Sequence, residues 1–123
     1  TITLEPTEEV IDFATRLYTT CLVREADEAG LEYWSTELVN RRVSGSEAAR
    51  AYFFSEEFIN AHVDDREFVN RLYLTFMDRD ADDFEFDYWL DEMSNGMSRE
   101  DVFSGFGSSY EFNRICSEYG IMN

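Results

Sequence analysis

The chain carries one segment twice, and this duplication restricts its fold more than any other feature. GLEYWSTEL returns 55 positions later as EFDYWLDEM, and the shift becomes 54 after a one-residue deletion near Asn95. Under this alignment the following residues of the first copy fall on identical residues of the second: Phe13, Arg16, Leu17, Tyr18, Thr20, Arg24, Ala26, Asp27, Tyr33, Trp34, Glu37, Ser44, Ser55, Glu57 and Phe58. We therefore predict one helical domain over residues 1–123, made of two internal repeats at about 9–62 and 64–120.

Apolar residues in each copy recur at intervals of three and four, which is the period of a helix with one buried face. Val10, Phe13, Leu17 and Cys21 follow this pattern in the first copy. A single Pro and six Gly argue against a turn-rich β sandwich. The pattern predicts an all-α fold, a compact bundle of about eight helices in two pseudo-equivalent four-helix repeats.

Helix start signals stand where the periodic segments begin. The predicted capping residues are Thr7, Asp27, Ser44, Ser55, Asp64, Asp82, Ser98 and Ser109. Glu follows three residues after Ser44, Asp64 and Asp82, which predicts a reciprocal capping box at each of these starts. Gly120 is placed to end the last helix.

The repeated Tyr-Trp pair raises the question of whether it is core or ligand platform. Trp34 and Trp89 each lie three residues after one apolar residue and four before the next, so both are predicted in a buried stripe. Tyr33 and Tyr88 are rotated by about 100° from that stripe. They are the predicted half-exposed residues and candidates for ligand binding.

A second aromatic run, AYFFSEEF, contains Tyr52, Phe53 and Phe54 in succession. Three consecutive residues cannot share one face of a helix, so at least one is expected near solvent or against the other repeat. Two uses remain open. Packing between the repeats is one, and a sugar- or peptide-binding patch that includes Tyr52 and Phe53 is the other.

The charge of the chain excludes several classes of partner. It has 27 acids and ten bases, a formal net charge of -17, and every base is Arg. Because nucleic acids are bound through basic side chains, nucleic acid and anionic membrane surfaces are excluded as partners. The absence of Lys rules out a Schiff-base lysine and a P-loop lysine. No apolar run approaches the ~18 residues of a membrane span, so no membrane insertion is expected.

The segment DRDADDFEFD is the most acidic stretch and the candidate metal site. Asp78, Asp80 and Asp82 have the spacing of the first three ligands of a Ca²⁺-binding EF-hand loop. The rest of that motif fails, since Asp83 stands where the sharp turn needs a Gly. The alternative is structural, with Asp82 and Asp83 at a helix start and Arg79 as their partner.

Catalysis is not expected from these residues. His62 is the only histidine, and neither a nucleophile elbow nor an active-site Cys signature accompanies it. Cys21 and Cys116 are far apart in sequence, so they are either two buried thiols or one disulfide. We therefore predict that the chain is not an enzyme and needs no cofactor, with Ca²⁺ as the one ion in question.

Two blocks of the sequence carry a family resemblance across nearly the whole chain. FATRLYTTCLVREADEAGLEYW with FFSEEF, and FVNRLYLTFMDRDADDFEFDYW with FGSSYEF, resemble two tandem copies of the bacterial domain-of-unknown-function 4214 family. That family is helical and similar to phycobilisome linker domains. Its members are commonly joined to large secreted or surface-layer proteins. The resemblance implies an extracellular or cell-surface location and neighbouring modules as partners.

The chain departs from the family pattern in two loops. The usual Gly-Arg-x-Pro-Asp reads VREAD over residues 23–27 and DRDAD over residues 78–82, so both copies lack the Gly and the Pro. Phe84 and Phe86 also replace a small residue and part of a Gly-Leu pair. The shapes of these loops are therefore expected to depend on residues other than Gly and Pro.

These observations favour a non-catalytic module of a larger secreted or cell-surface bacterial protein. Its expected role is recognition or adhesion, with a glycan or a protein as partner. A ligand-free structural spacer and an acidic-loop calcium-binding module are the alternatives. A recognition module is expected to expose aromatic residues around Tyr33, Tyr88 or Phe53, whereas a spacer is expected to bury them.

Overall fold

Helices form all the regular secondary structure of residues 2–123, the part of the chain that the computed structural model describes. The first unit contains α1 Glu8–Arg16, α2 Glu28–Val39, α3 Gly45–Phe53 and α4 Glu56–Asn60, and the second contains α5 Asp65–Leu72, α6 Asp83–Ser94, α7 Arg99–Gly107 and α8 Tyr110–Tyr119. The predicted all-α class and the count of about eight helices are confirmed.

Short-range hydrogen bonds set the helix starts where the sequence predicts them. Each predicted capping side chain accepts a hydrogen bond from the backbone N–H three residues later. Ser44 and Asp82 form the predicted reciprocal boxes with Glu47 and Glu85. The box predicted at Asp64 is only half formed, because the Glu67 carboxylate instead accepts from Asn70 within its own helix.

Two π-helical segments extend α1 and α5 at equivalent positions. Leu17–Leu22 continues α1, and Tyr73–Met77 continues α5. Val23 and Asp78 end them in the left-handed region, each with φ of 55°. These two residues occupy the family's Gly position, so the left-handed turn is kept although the glycine is not.

The two units meet across the π-helical segments in a reciprocal arrangement that we call the seam. The hydroxyls of the equivalent residues Thr20 and Thr75 lie 2.6 Å apart. Arg16 of the first unit donates to the carbonyl of Leu74 at 3.2 Å, and Arg71 of the second donates to the carbonyl of Cys21 at 2.8 Å. The seam therefore relates the units by a pseudo-two-fold axis.

A single cluster of buried side chains draws on both units. Phe53 is 1% exposed, and its ring lies 6.1 Å from both Phe68 and Phe76 and 5.9 Å from Phe103, measured between ring centroids. The three partners belong to the second unit. Of the two uses left open for this aromatic run, packing between the repeats is the one that the structure shows.

The indole rings lie at the edge of this core rather than in its middle. Trp34 and Trp89 are partly buried and pack against the buried cluster. Trp89 donates through Nε1 to the Tyr73 hydroxyl at 3.0 Å. The indoles predicted in a buried stripe thus pack against the core while remaining partly exposed, because a ring with a polar N–H packs readily at a boundary.

Both cysteines are free and buried. Burial raises the pKa of the Cys21 thiol, and it raises the pKa of Cys116 to about 12. The two residues therefore remain protonated thiols, which is one of the two states that the sequence allowed.

Replacing Val23 by Gly is expected to stabilise the fold by about 1 kcal/mol, since a β-branched residue is strained in the left-handed region. The Val23 side chain is exposed, so its removal loses little packing. Asp78→Gly is the matched control at the equivalent position and should gain less, because Asp tolerates this conformation better. Urea unfolding of both variants measures the difference. A neutral or destabilising Val23→Gly would contradict the assignment of strain.

Replacing Arg16 by Met should destabilise the protein by about 2 kcal/mol, because the carbonyls of Leu74 and Thr75 lose a charged donor at the seam. Arg114→Met is the control, since Arg114 forms an exposed pair with Glu118 one helical turn away. That variant should change the unfolding free energy by less than about 0.5 kcal/mol. If both substitutions changed the unfolding free energy equally, the hydrogen bonds of Arg16 at the seam would contribute no more than an exposed ion pair.

Candidate recognition surface on helix α6

Helix α6 has one face turned to the core and one to solvent. Asp82 caps its start and accepts from the Glu85 N–H at 2.8 Å. Phe86 is buried, and Trp89 and Met93 pack against the core cluster. These inward residues fix the rotation of the helix, so the residues between them point outward.

The outward face carries the most exposed pair of neighbouring aromatic residues. Phe84 is 81% exposed and Tyr88 is 50% exposed, and residues four apart on a helix are adjacent on its surface. Together with nearby residues they line a shallow, open depression on the helix. We call this the α6 surface, and it consists of Phe84, Asp87, Tyr88, Leu90, Asp91 and Ser94.

The structure places both predicted tyrosines where the helical pattern put them. Tyr33 is 55% exposed on α2, and its ring meets Trp34 edge-on at 5.1 Å. Tyr88 meets Trp89 in the same way, also at 5.1 Å. Each tyrosine is thus held by a partly buried indole and presents its remaining surface to solvent.

The equivalent face of the first unit lacks most of these features. Counting back 55 positions from Phe84, Asp87, Asp91 and Ser94 gives Ala29, Glu32, Thr36 and Val39. Only the tyrosine and one acid are retained. The same scaffold therefore bears a developed aromatic and acidic surface in the second unit alone.

The α6 surface has an uncompensated negative charge within residues 2–123. Neither Asp87 nor Asp91 forms an ion pair with any described base. Arg79, at the start of the preceding loop, is engaged by Glu85 at 2.8 Å and Glu111 at 3.2 Å. A cationic group that pairs with the two aspartates would therefore have to come from outside this part of the chain.

The carboxylate with the most strongly shifted pKa in this region is Glu85, and the cause is structural. The hydrogen bonds that Arg79 donates hold the pKa of Glu85 at about 2. In the first unit Arg24 donates to Glu57 at 2.7 Å and lowers the pKa of that carboxyl in the same way. Arg79 also pairs with Glu111 at 3.2 Å, and Glu111 is the counterpart of Glu57, so this second pair recurs in both units. The pair with Glu85 does not recur, because Gly30 stands at its position in the first unit. The recurring pair joins the loop before the second helix of each unit to the start of the fourth helix.

Two of the four predicted ligand-binding residues do not lie on a surface. Phe53 is enclosed by aromatic rings of the second unit, as described above. Tyr52 is also buried, with its ring 4.9 Å from that of Tyr18, and burial raises the pKa of its hydroxyl. The prediction that these two residues contact a ligand at the surface is therefore wrong, because both rings are packed in the core.

The acidic loop does not bring its three candidate metal ligands together. Asp82 serves as the α6 cap, while Asp78 occupies the left-handed turn after the π-helical segment. Among residues 2–123, no group of three or more His, Cys, Asp or Glu side chains is arranged to hold a metal ion. The expected partner of Asp82 is also corrected, since Arg79 binds Glu85 and Glu111 instead. Asp80 is exposed.

His62 lies exposed in the joint between α4 and α5, with φ of 51°. Its backbone N–H donates to the carbonyl of Ile59 at 3.2 Å. The residue thus contributes to the turn that ends α4.

Sequence reasoning did not select Phe84, although a signal for it was present. Phe86, Trp89 and Met93 occupy the buried stripe, and Phe84 precedes Phe86 by two residues. Two residues correspond to about 200° of helical rotation, so both phenylalanines cannot face the core. This conflict marks Phe84 as the exposed one.

The fold defines a class of protein, namely a four-helix unit in tandem duplication joined by a reciprocal arginine seam. The family model described as Domain of unknown function (DUF4214) matches residues 6–62 and again residues 49–116. The chain belongs to this family and carries it as a tandem pair. No curated protein and no solved structure matches the sequence. Within residues 2–123, no helix combines the length and the apolar character that crossing a membrane requires.

Replacing Glu85 by Gln should cost about 1 kcal/mol at pH 7, because the exposed pair with Arg79 is lost while the capping interaction survives. The folded-state pKa of Glu85 is depressed, so its contribution is complete above the unfolded pKa near 4.5 and is lost as the pH falls toward about 2.

Urea unfolding at several pH values should therefore show the gap between the Glu85→Gln variant and the natural protein narrowing from pH 5 downward. Glu118→Gln is the control, since its exposed pair with Arg114 joins residues of a single helix. A gap that stays constant with pH would contradict the proposed ion pair.

Proposed function

We propose that the chain is a non-catalytic recognition or adhesion module of a larger secreted or cell-surface bacterial protein. The observation that carries this proposal is the exposure of Phe84 and Tyr88 side by side on one rigid helix. The recognition partner is a glycan or a protein, and the neighbouring modules of the same polypeptide are its covalent partners.

The exposure of Phe84 is costly for a residue with no role at a surface. A phenylalanine gains about 2 kcal/mol when it is fully buried, and the other phenylalanines of this chain are buried or partly buried. Contiguous exposed apolar residues on an otherwise polar surface are typical of interaction sites. Tyr88, one helical turn from Phe84, makes the exposed pair contiguous, and the partly buried Leu90 lies beside it.

The position of the patch on a helix supports recognition over a mobile role. Binding residues are most effective when secondary structure and packing fix their geometry. The inward Phe86 and Trp89 anchor α6, and the capping box at Asp82 fixes its first turn. Phe84 and Tyr88 are therefore presented at a constant spacing.

The proposed secreted or cell-surface location is supported by the family's usual setting in large secreted proteins. The acidic surface also suits it, because a strong net charge of one sign keeps a module soluble. The proposed lack of catalysis is supported by a chain with one histidine, which lies exposed in a joint between helices.

The test is a screen of the 123-residue chain on a glycan array and against a displayed peptide library. The double variant Phe84→Ser/Tyr88→Ser should lose binding to the selected ligand by about tenfold or more, because both aromatic contacts are removed. Tyr33→Ser is the matched control on the equivalent helix and should bind normally. Both tyrosines and Phe84 are exposed, so thermal unfolding should change little.

Two results would contradict the proposal. Silence across all glycans and peptides would favour the ligand-free spacer. Binding that survives the double variant would place the site elsewhere. A rise in melting temperature with millimolar Ca²⁺ that Asp80→Asn and Asp82→Asn abolish would instead support the calcium-binding alternative.

A further inference from the structure

We propose that the α6 surface binds a cationic protein segment, whose arginine or lysine side chains lie over Phe84 and Tyr88 and pair with Asp87 and Asp91. This inference rests on the proposed recognition function and names the chemistry of its partner. It is drawn from the way the protein uses arginine elsewhere in its own structure.

Most arginines of this chain lie over an aromatic ring. Seven of its ten arginines lie over a ring, within 6.0 Å of the ring centroid: Arg16, Arg24, Arg50, Arg66, Arg71, Arg79 and Arg99. The attraction is electrostatic, between the cation and the negative face of the ring. Within residues 2–123, no arginine lies over Phe84 or Tyr88.

A carboxylate completes most of these stacked pairs. Arg99 lies 4.7 Å from the Phe68 ring and pairs with Asp65 at 3.0 Å. Arg79 lies 5.2 Å from the Tyr73 ring and pairs with Glu85. The recurring unit thus has three parts, namely a ring, a guanidinium and a carboxylate.

The α6 surface repeats two of these three parts and lacks the third. Each exposed ring is followed three residues later by an aspartate, as Phe84 by Asp87 and Tyr88 by Asp91. Residues three apart on a helix are neighbours on its surface, so each ring has a carboxylate beside it. Neither carboxylate has a described cationic partner, as shown above. The missing part is a cation, and a partner must supply it.

The spacing of the two ring and carboxylate pairs constrains the partner. They are four residues apart on α6, which corresponds to about 6 Å along the helix axis. In an extended peptide, side chains two residues apart lie about 6.6 Å apart on one face. The surface therefore fits basic residues at alternate positions of an extended segment.

The overall charge favours the same partner. A net charge of -17 attracts a basic segment from a distance and accelerates its association. A neutral glycan gains nothing from this charge, and an anionic one is repelled. The first unit lacks both pairs, since Ala29 replaces the first ring and Thr36 replaces the second carboxylate. It provides an internal comparison for the same scaffold.

The experiment is titration calorimetry of the 123-residue chain with the peptide Gly-Arg-Gly-Arg-Gly-Arg-Gly. The same peptide with citrulline, the neutral isostere of arginine, is the control ligand. The arginine peptide should bind, and the citrulline peptide should bind about tenfold more weakly or not at all. Binding should weaken as salt is added, because the carboxylate contacts are screened.

Variants separate the α6 surface from a general attraction of opposite charges. Phe84→Ala/Tyr88→Ala should weaken peptide binding by about tenfold while leaving the net charge unchanged. Asp87→Asn/Asp91→Asn should weaken binding by a similar factor and flatten its salt dependence. The charge-matched control Glu28→Gln/Glu32→Gln removes two acids from α2 and should bind almost normally.

Three outcomes would overturn the inference. One is equal binding by all variants, which would show only nonspecific attraction to an acidic protein. Another is equal binding of the citrulline peptide. The third is no binding of the arginine peptide. In that case cellohexaose is tested next. If it binds, and Phe84→Ala/Tyr88→Ala abolishes its binding, then the α6 surface is still a recognition site, but its partner is a neutral glycan. Silence toward both probes, with no ligand from the wider screen, would remove the proposed function as well.

Discussion

The exchange of arginine side chains across the seam is the interaction on which the rest of the fold depends. A π-helical segment interrupts the regular α-helical ladder and leaves backbone carbonyls that need other donors. Arg16 donates hydrogen bonds to such carbonyls in the second unit, and Arg71 donates to one in the first. Each unit thus satisfies backbone hydrogen-bond acceptors of the other. The two copies therefore form one shared core rather than two independent domains.

Duplication on this scaffold separates what must stay constant from what is free to vary. The seam residues, the capping residues and the ion pair that begins with Arg24 or Arg79 occur in both units. The outward faces of α2 and α6 differ, because no contact with the other unit constrains them. A frame shared by both units, with one developed face, confines the proposed binding surface to the second unit although the architecture is doubled.

Local physics explains why much of the fold was predictable from sequence. Each helix start depends on a side chain and an N–H group three residues apart. The capping role of Ser44 or Asp82 can therefore be predicted without knowledge of the tertiary structure. The depth of Trp34 depends on its packing against Tyr52 of the neighbouring helix, and the π-helical segments depend on contacts between the units. The periodic pattern does not contain that information. For the candidate site, helical rotation correctly predicted that Tyr33 and Tyr88 are exposed. It failed for Tyr52 and Phe53, because a run of aromatic rings does not reveal which of them meets the other unit.

The burial of the two free thiols has a consequence for a protein proposed to work outside the cell. Cys21 lies in the π-helical segment at the seam, and Cys116 lies in the last helix, so both are shielded only while the packed state persists. In an oxidising medium each transient opening offers a thiol to cross-linking. The rate at which the packed state opens therefore sets how fast the two thiols are oxidised, and their burial protects them.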